Sequence, residues 1–182
     1  MTAQPLGVVL AGGLSRRFGS DKALALVGGR PMLDHVIARL RPQCADLVVA
    51  GRQWPGASCI DDLPHPGLGP LGGLAAALAY ARGLGHELVL TCGCDLPELP
   101  GGLVALLSPA DAVLTHQPTI GLWRADRSDM LLAWIEASRR HSIFAWAEEV
   151  GARQVAGPAI VNVNRPEDLE AIRPPADPRS SR

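Results

Sequence analysis

The sequence predicts a three-layer α/β fold built on a mostly parallel sheet, and three observations predict it. Short apolar runs of strand length alternate with amphipathic segments of helix length along almost the whole chain. A glycine-rich loop follows the first run, and Asp95 follows a later one, as ligand-binding groups do at the carboxyl edge of an open parallel sheet. The chain has 182 residues, 47% hydrophobic and 19% charged, which suits one domain with a sizeable core.

In chain order, Gly7-Val-Val-Leu10 is the first strand and runs into the glycine loop. Residues 23–27 read as a short extended piece ended by the turn Gly28-Gly-Arg30. Pro31 suits the first position of a helix whose apolar residues Met32, Leu33, Val36, Ile37 and Leu40 recur at helical spacing, and Pro42 stops it. Residues 46–50 and 57–60 are buried-strand runs. Residues 61–73 hold too much glycine and proline for regular structure and lead into a helix with Leu71, Leu74, Ala75 and Leu78 on one side.

Residues 87–94 form the next strand, with Cys92 and Cys94 expected on one strand face and Asp95 just beyond its end. A helix over 103–107 leads to strands at 112–115 and 118–123, and then to two amphipathic helices. One carries Met130, Leu131, Trp134 and Ile135, the other Ile143, Trp146, Ala147 and Val150, and both stripes read as core. Residues 159–164 are expected as a last strand, followed by a helix opened by Arg165-Pro-Glu-Asp168. A single domain over 1–173 with a frayed tail over 174–182 is the expected organisation.

Composition narrows the function. A net charge of −1 lacks the strongly basic balance of a nucleic-acid surface. No run approaches the roughly 18 uninterrupted apolar residues of a membrane span, and the first residues lack the pattern of a signal peptide, so a cytoplasmic protein without membrane partners is expected. The cysteines at 44, 59, 92 and 94 form no Cys-x-x-Cys pair, which points to reduced, packed thiols rather than zinc. The histidines at 35, 65, 86, 116 and 141 show no ligand spacing.

The loop Leu10-Ala-Gly-Gly-Leu-Ser-Arg-Arg-Phe-Gly-Ser-Asp-Lys22 is built for an anion. Its glycines let backbone N–H groups approach a ligand closely, and Arg16, Arg17 and Lys22 add positive charge. It is neither a P-loop, lacking Gly-Lys-Ser/Thr, nor Gly-x-Gly-x-x-Gly, because its glycines stand at 12, 13 and 19. A metal held by Asp95 beside phosphates cradled by this loop makes a workable phosphoryl or nucleotidyl transfer site, since magnesium is typically bound by one or two carboxylates plus substrate phosphates.

Read together, Leu10-Ala-Gly-Gly-x-Ser-x-Arg-x-Gly-x-Asp-Lys22, Asp62 ahead of Gly69-Pro-Leu-Gly-Gly73, Cys94-Asp-Leu-Pro97, Pro118-Thr-Ile-Gly-Leu-Trp123 and Asn162-Val-Asn-Arg-Pro-Glu-Asp168 resemble the bacterial molybdenum cofactor guanylyltransferases, in order and over nearly the whole chain. The opening motif is shared with the wider nucleotidyltransferase superfamily; the later blocks narrow it. The resemblance implies a Rossmann-like α/β/α nucleotidyltransferase fold and a Mg²⁺-dependent transfer of GMP from GTP to the phosphate of molybdopterin, with pyrophosphate released. It carries nucleotide contacts onto Leu10, Ala11, Gly12, Gly13, Lys22, Asp62 and Asp95 and makes Asp95 the metal ligand. Asn162 and Asn164, at the end of the expected last strand, are candidates for the substrate side, with turn or cap chemistry as the alternative. The resemblance favours guanine, because Leu-Ala-Gly-Gly is the guanylyl form and Leu-Ala-Ala-Gly the common cytidylyl one. It also admits transient contacts with other cofactor-biosynthesis proteins.

The chemistry this implies needs no general base, because a phosphate monoester with a second pKa of about 6 is already largely a dianion at neutral pH. Positioning and charge neutralisation remain, with Lys22 and Arg16 facing the triphosphate and Asp95 the metal; Arg17 is set aside. Phe18, Gly51-Arg52, Gly93, Leu96 and the glycine-free stretch 137–141 depart from the usual family pattern. The rival readings are a cytidylyl- or sugar-phosphate nucleotidyltransferase on the same fold, and a nucleotide-binding regulator without chemistry.

Overall fold

The computed structural model describes residues 4–12, 21–163 and 168. Its strands are β1 (Leu6–Leu10), β2 (Leu26–Val27), β3 (Arg30–Pro31), β4 (Asp46–Ala50), β5 (Ser58–Ile60), β6 (Leu88–Gly93), β7 (Ala112–Leu114), β8 (Gln117–Arg124) and β9 (Arg153–Val155). Its helices are α1 (Met32–Leu40), α2 (Pro70–Leu84), α3 (Leu103–Leu107), α4 (Ser128–Ala137) and α5 (Ile143–Glu149).

Seven strands form one sheet in the order β5-β4-β1-β6-β8-β7-β9, and β2 and β3 form a separate hairpin. Every pairing in the large sheet is parallel except those of β8, which runs against both β6 and β7. The chain leaves β1 for β4 and β5 on one side, then returns to β6 on the other, so the strand order reverses beside β1. A crevice at the carboxyl edge of such a reversal is where open α/β sheets bind ligands.

The strand periodicity assigns the two faces. Leu6, Val8 and Leu10 point into a cluster with Val48, Ala50, Leu71, Leu74, Leu78, Leu131 and Trp146, which is the α2–α4–α5 side. Val9 points the other way, into a cluster with Leu33, Val36, Leu40, Val49, Leu103 and Leu107, which is the α1–α3 side. Both faces of β1 are buried, hence its unbroken apolar run. On the first side Trp123 is fully buried, and its ring lies over Gly121, where a Cβ would come 2.6 Å from its Nε1. That Nε1 donates to Thr91 Oγ1 at 3.1 Å, so the indole is fixed at both its apolar and its polar end.

Several expectations are corrected. Pro31 belongs to β3 and precedes α1, so it stands at the N-cap rather than at the first helical position. Helix α2 begins at Pro70, so Leu71-Gly-Gly73 is its first turn and not loop. The β6 strand ends at Gly93, which puts Cys94 in the turn beyond it; Cys92 is buried and all four cysteines are free. Met130 is 41% exposed, so it is not core, although Leu131 and Ile135 are.

Residues 159–163 form no strand. The sheet edge beside β7 is occupied instead by β9, and Val163 leaves the sheet to pack with Val27 and Met32. The helix expected after Arg165, and the tail over 174–182, lie outside the described residues. None of the described helices is long and apolar enough to cross a membrane.

Candidate active site

The site starts from the register of β1. Leu10 pairs with Ala50 of β4 on one side and Gly93 of β6 on the other, so the ends of three strands lie level. Ala11 extends the ladder by donating its N–H to the Ala50 carbonyl at 2.9 Å. Gly12 then crosses Gly51, whose φ is +82°; a Cβ on Gly51 would stand 2.4 Å from the Gly12 Cα. Two backbones meet here with no room for a side chain between them.

That crossing makes the seat for Asp62. A Cβ on Gly12 would lie 2.9 Å from Asp62 Oδ2, one on Gly72 would lie 3.1 Å from Asp62 Cβ, and one on Gly73 would lie 3.6 Å from Oδ1. The carboxylate therefore sits in a cradle of glycine backbones at the start of α2. Its Oδ1 is buried and has no hydrogen-bond partner among the described residues. Burial, helped by neighbouring Asp61, pushes the Asp62 carboxyl above its ordinary value of 3.8. A buried, unsatisfied acceptor of this kind suits a ligand donor.

Asp21 and Lys22 close the other side. Asp21 caps a short 3-10 turn over Lys22–Leu24, its Oδ1 accepting from the Ala23 N–H at 3.2 Å. From that turn Lys22 reaches Asp95, in the turn after β6, with Nζ 3.0 Å from Oδ2. Both side chains are largely buried, at 11% and 23% exposure. Asp21 meanwhile pairs with the guanidinium of Arg52, just past β4, which holds the Asp21 carboxyl below its ordinary value. Burial, followed by the Asp95 charge, pushes the Cys94 thiol up to about 11, so it is a protonated wall of the site rather than a nucleophile.

On the far side the Val163 N–H donates to the Asp95 carbonyl at 3.1 Å and brings Asn162 alongside. Asn162 lines a cavity of about 430 Å³ with Leu114, His116, Gln117 and the 157–160 segment, and its Oδ1 is buried without a partner among the described residues. Thr119 Oγ1 is likewise buried and unpaired, next to Gly93.

The structure thus brings Leu10, Ala11, Gly12, Lys22, Asp62, Asp95 and Asn162 to one sheet edge. Gly13, Arg16 and Asn164 lie outside the described residues. From sequence, Arg52 stands out only as a departure from the family pattern, His116 only as a histidine without ligand spacing, Thr119 only within the Pro118–Trp123 block, and Gln117 not at all. For His116 and Gln117 the available signal was their place at the tip of a hairpin between two short strands. No group of three or more His, Cys, Asp or Glu side chains placed to hold a metal occurs among the described residues. Asp95 and Asn162 are nonetheless oxygen-bearing side chains on two segments joined by the Val163–Asp95 backbone bond.

Known proteins carry the same architecture. Residues 7–171 match the family described as MobA-like NTP transferase domain. A relative from Acidiphilium cryptum named molybdenum cofactor guanylyltransferase is 35% identical over 179 residues, covering 90% of this chain and 91% of the relative. The crystal structure of molybdopterin-guanine dinucleotide biosynthesis protein A from Archaeoglobus fulgidus superposes with a TM-score of 0.70 at 21% identity, covering 91% of this chain and 95% of that one. That of 2-C-methyl-D-erythritol 4-phosphate cytidylyltransferase from Thermus thermophilus has a TM-score of 0.63 at 20% identity, covering 93% and 97%, so the fold alone does not choose the base. With the family matched from β1 almost to the end of the chain, and with relatives above 30% identity over nearly its whole length, the chain belongs to the MobA-like NTP transferases and is a nucleotidyltransferase.

Proposed function

We propose that this chain transfers GMP from GTP to the terminal phosphate of molybdopterin. An oxygen of that phosphate attacks the α-phosphorus, the bond from the α-phosphorus to the bridging oxygen breaks, and pyrophosphate leaves. The observation that carries the reading is the Lys22–Asp95 ion pair at the strand reversal, beside the Gly12 crossing. The names of the relatives support the choice of substrates.

Lys22 and Asp95 neutralise one another. A triphosphate offers Lys22 a stronger anionic partner and frees the Asp95 carboxylate. Backbone N–H groups around Gly12 approach the nucleotide where a side chain would block it, and the unsatisfied Asp62 Oδ1 accepts from a nucleoside N–H or O–H. Arg16 and Gly13 belong to the same glycine loop by sequence, and the reading gives them contacts to the triphosphate. The acceptor enters from the cavity lined by His116, Gln117 and Asn162, with Asn164 following on the same segment.

The Asp95 carboxylate, a hard oxygen donor, would hold Mg²⁺ delivered with the nucleotide once the triphosphate draws Lys22 away. When bound, that ion supplies neutralisation of phosphate charge. The attacking phosphate is largely ionised at neutral pH, so no residue is needed as a base. The test is pyrophosphate release from each of the four ribonucleoside triphosphates with molybdopterin. Release with GTP alone is expected; release with CTP or UTP, or with a sugar phosphate as acceptor, contradicts the reading.

A further inference from the structure

Consecutive residues Asp21 and Lys22 reach the strands on both sides of β1. Lys22 reaches the turn after β6, where it pairs with Asp95, and Asp21 reaches the end of β4, where it pairs with Arg52. The 3-10 turn that carries them therefore bridges the carboxyl end of β1, and the charges along the edge alternate as Arg52, Asp21, Lys22, Asp95.

Arg52 is held for this contact. Gly51 fixes its backbone through the crossing with Gly12 and an N–H bond to the Ile60 carbonyl at 2.9 Å. The guanidinium stands 5.7 Å from the centre of the Trp54 ring, and Trp54 Nε1 donates to Asp34 Oδ1 on α1 at 2.8 Å. Two guanidinium nitrogens meet the two Asp21 oxygens, the planar fork that arginine supplies and lysine does not.

We infer that Arg52 is a positioning residue for nucleotide binding, acting through Asp21: it fixes the turn that presents Lys22 and cancels the Asp21 charge that would otherwise repel a triphosphate. The inference rests on the nucleotidyl-transfer reading. A pair this close to solvent adds little to stability, since Asp21 is 39% and Arg52 23% exposed, so its effect belongs to the site.

The test is a double-mutant cycle in nucleotide affinity and turnover, run with whichever triphosphate the wild type binds. A failure of the GTP assignment then shows as a change of nucleotide, while a failure of this inference shows in the pattern among variants. Arg52→Gln should weaken nucleotide binding and raise KM about tenfold, with kcat within about threefold and the defect shrinking as salt screens Asp21. Arg52→Lys should fall between, keeping charge but losing the fork. Asp21→Asn preserves the cap acceptor and removes the charge, so the double variant D21N/R52Q should return to within about threefold of D21N. A double variant as poor as R52Q, or an R52Q defect indifferent to salt, overturns the inference.

Discussion

Lys22 and Asp95, 73 residues apart in the chain, meet at 3.0 Å where the ends of β1 and β6 lie level. Neither partner is on an α-helix. Both stand on turns whose positions are dictated by parallel strands, so the sheet sets the geometry of the pair. Replacing Lys22 or Asp95 by alanine should lower transfer by about two to three orders of magnitude, the usual loss when one preorganised electrostatic partner is removed. Far-UV circular dichroism should stay unchanged, and near-normal pyrophosphate release would remove that residue from the mechanism.

Gly12 has no space for a methyl group. Its Cβ would stand 2.9 Å from Asp62 Oδ2 and 3.2 Å from the Gly51 Cα, so Gly12→Ala must push the Asp62 carboxylate out of its cradle. Gly12→Ala and Asp62→Ala should each weaken GTP binding about tenfold or more, the worth of one hydrogen bond to a charged group. Calorimetry on the double variant should show no further loss; additive losses would mean that the glycine and the carboxylate act separately.

Asp62 also makes a prediction in pH. Its folded-state pKa lies above the ordinary 3.8, so the folded chain binds that proton more tightly than the unfolded one, and stability falls as pH rises through the interval above 3.8. Asp62→Asn removes the loss. Its unfolding midpoint should exceed that of the wild type at neutral pH, the gap should close below about pH 3.8, and GTP binding should drop at the same time. A lower midpoint at neutral pH would contradict burial as the cause.

Gly121 and Trp123 test the packing behind the site. A methyl group on Gly121 would stand within 2.9 Å of three atoms of the indole, whose Nε1 bonds Thr91 on β6. Gly121→Ala should cost about 1–3 kcal/mol by overpacking. For a chain of this size that is roughly 2–12 °C in unfolding midpoint, readable by calorimetry; an unchanged midpoint would show that the ring moves freely.

What could be read from sequence follows from where burial leaves a periodic trace. β1, β4 and β6 are buried on both faces and appear as apolar runs, and the acid after β6 and the glycines after β1 mark one edge once those strands are parallel. Residues 159–163 have the same apolar look for a different reason. Val163 is buried against Val27 and Met32 while its N–H serves the Asp95 carbonyl. The true edge strand, Arg153-Gln-Val155, is polar and short and leaves no pattern to find. The role of Arg52 was equally hidden, because its partner Asp21 is 31 residues away and meets it only after β1 and β4 pair. The fourfold glycine seat of Asp62 likewise needs the crossing of Gly12 and Gly51 before it exists.

The most direct measurement follows the label. With GTP labelled at the α-phosphorus, a single turnover on molybdopterin should place the label in a dinucleotide product, whereas label at the γ-position should leave in pyrophosphate. The Lys22→Ala and Asp95→Ala chains should give neither at the wild-type rate. Label from the α-position appearing as free GMP, or remaining in GTP while CTP is consumed, would contradict guanylyl transfer by this site.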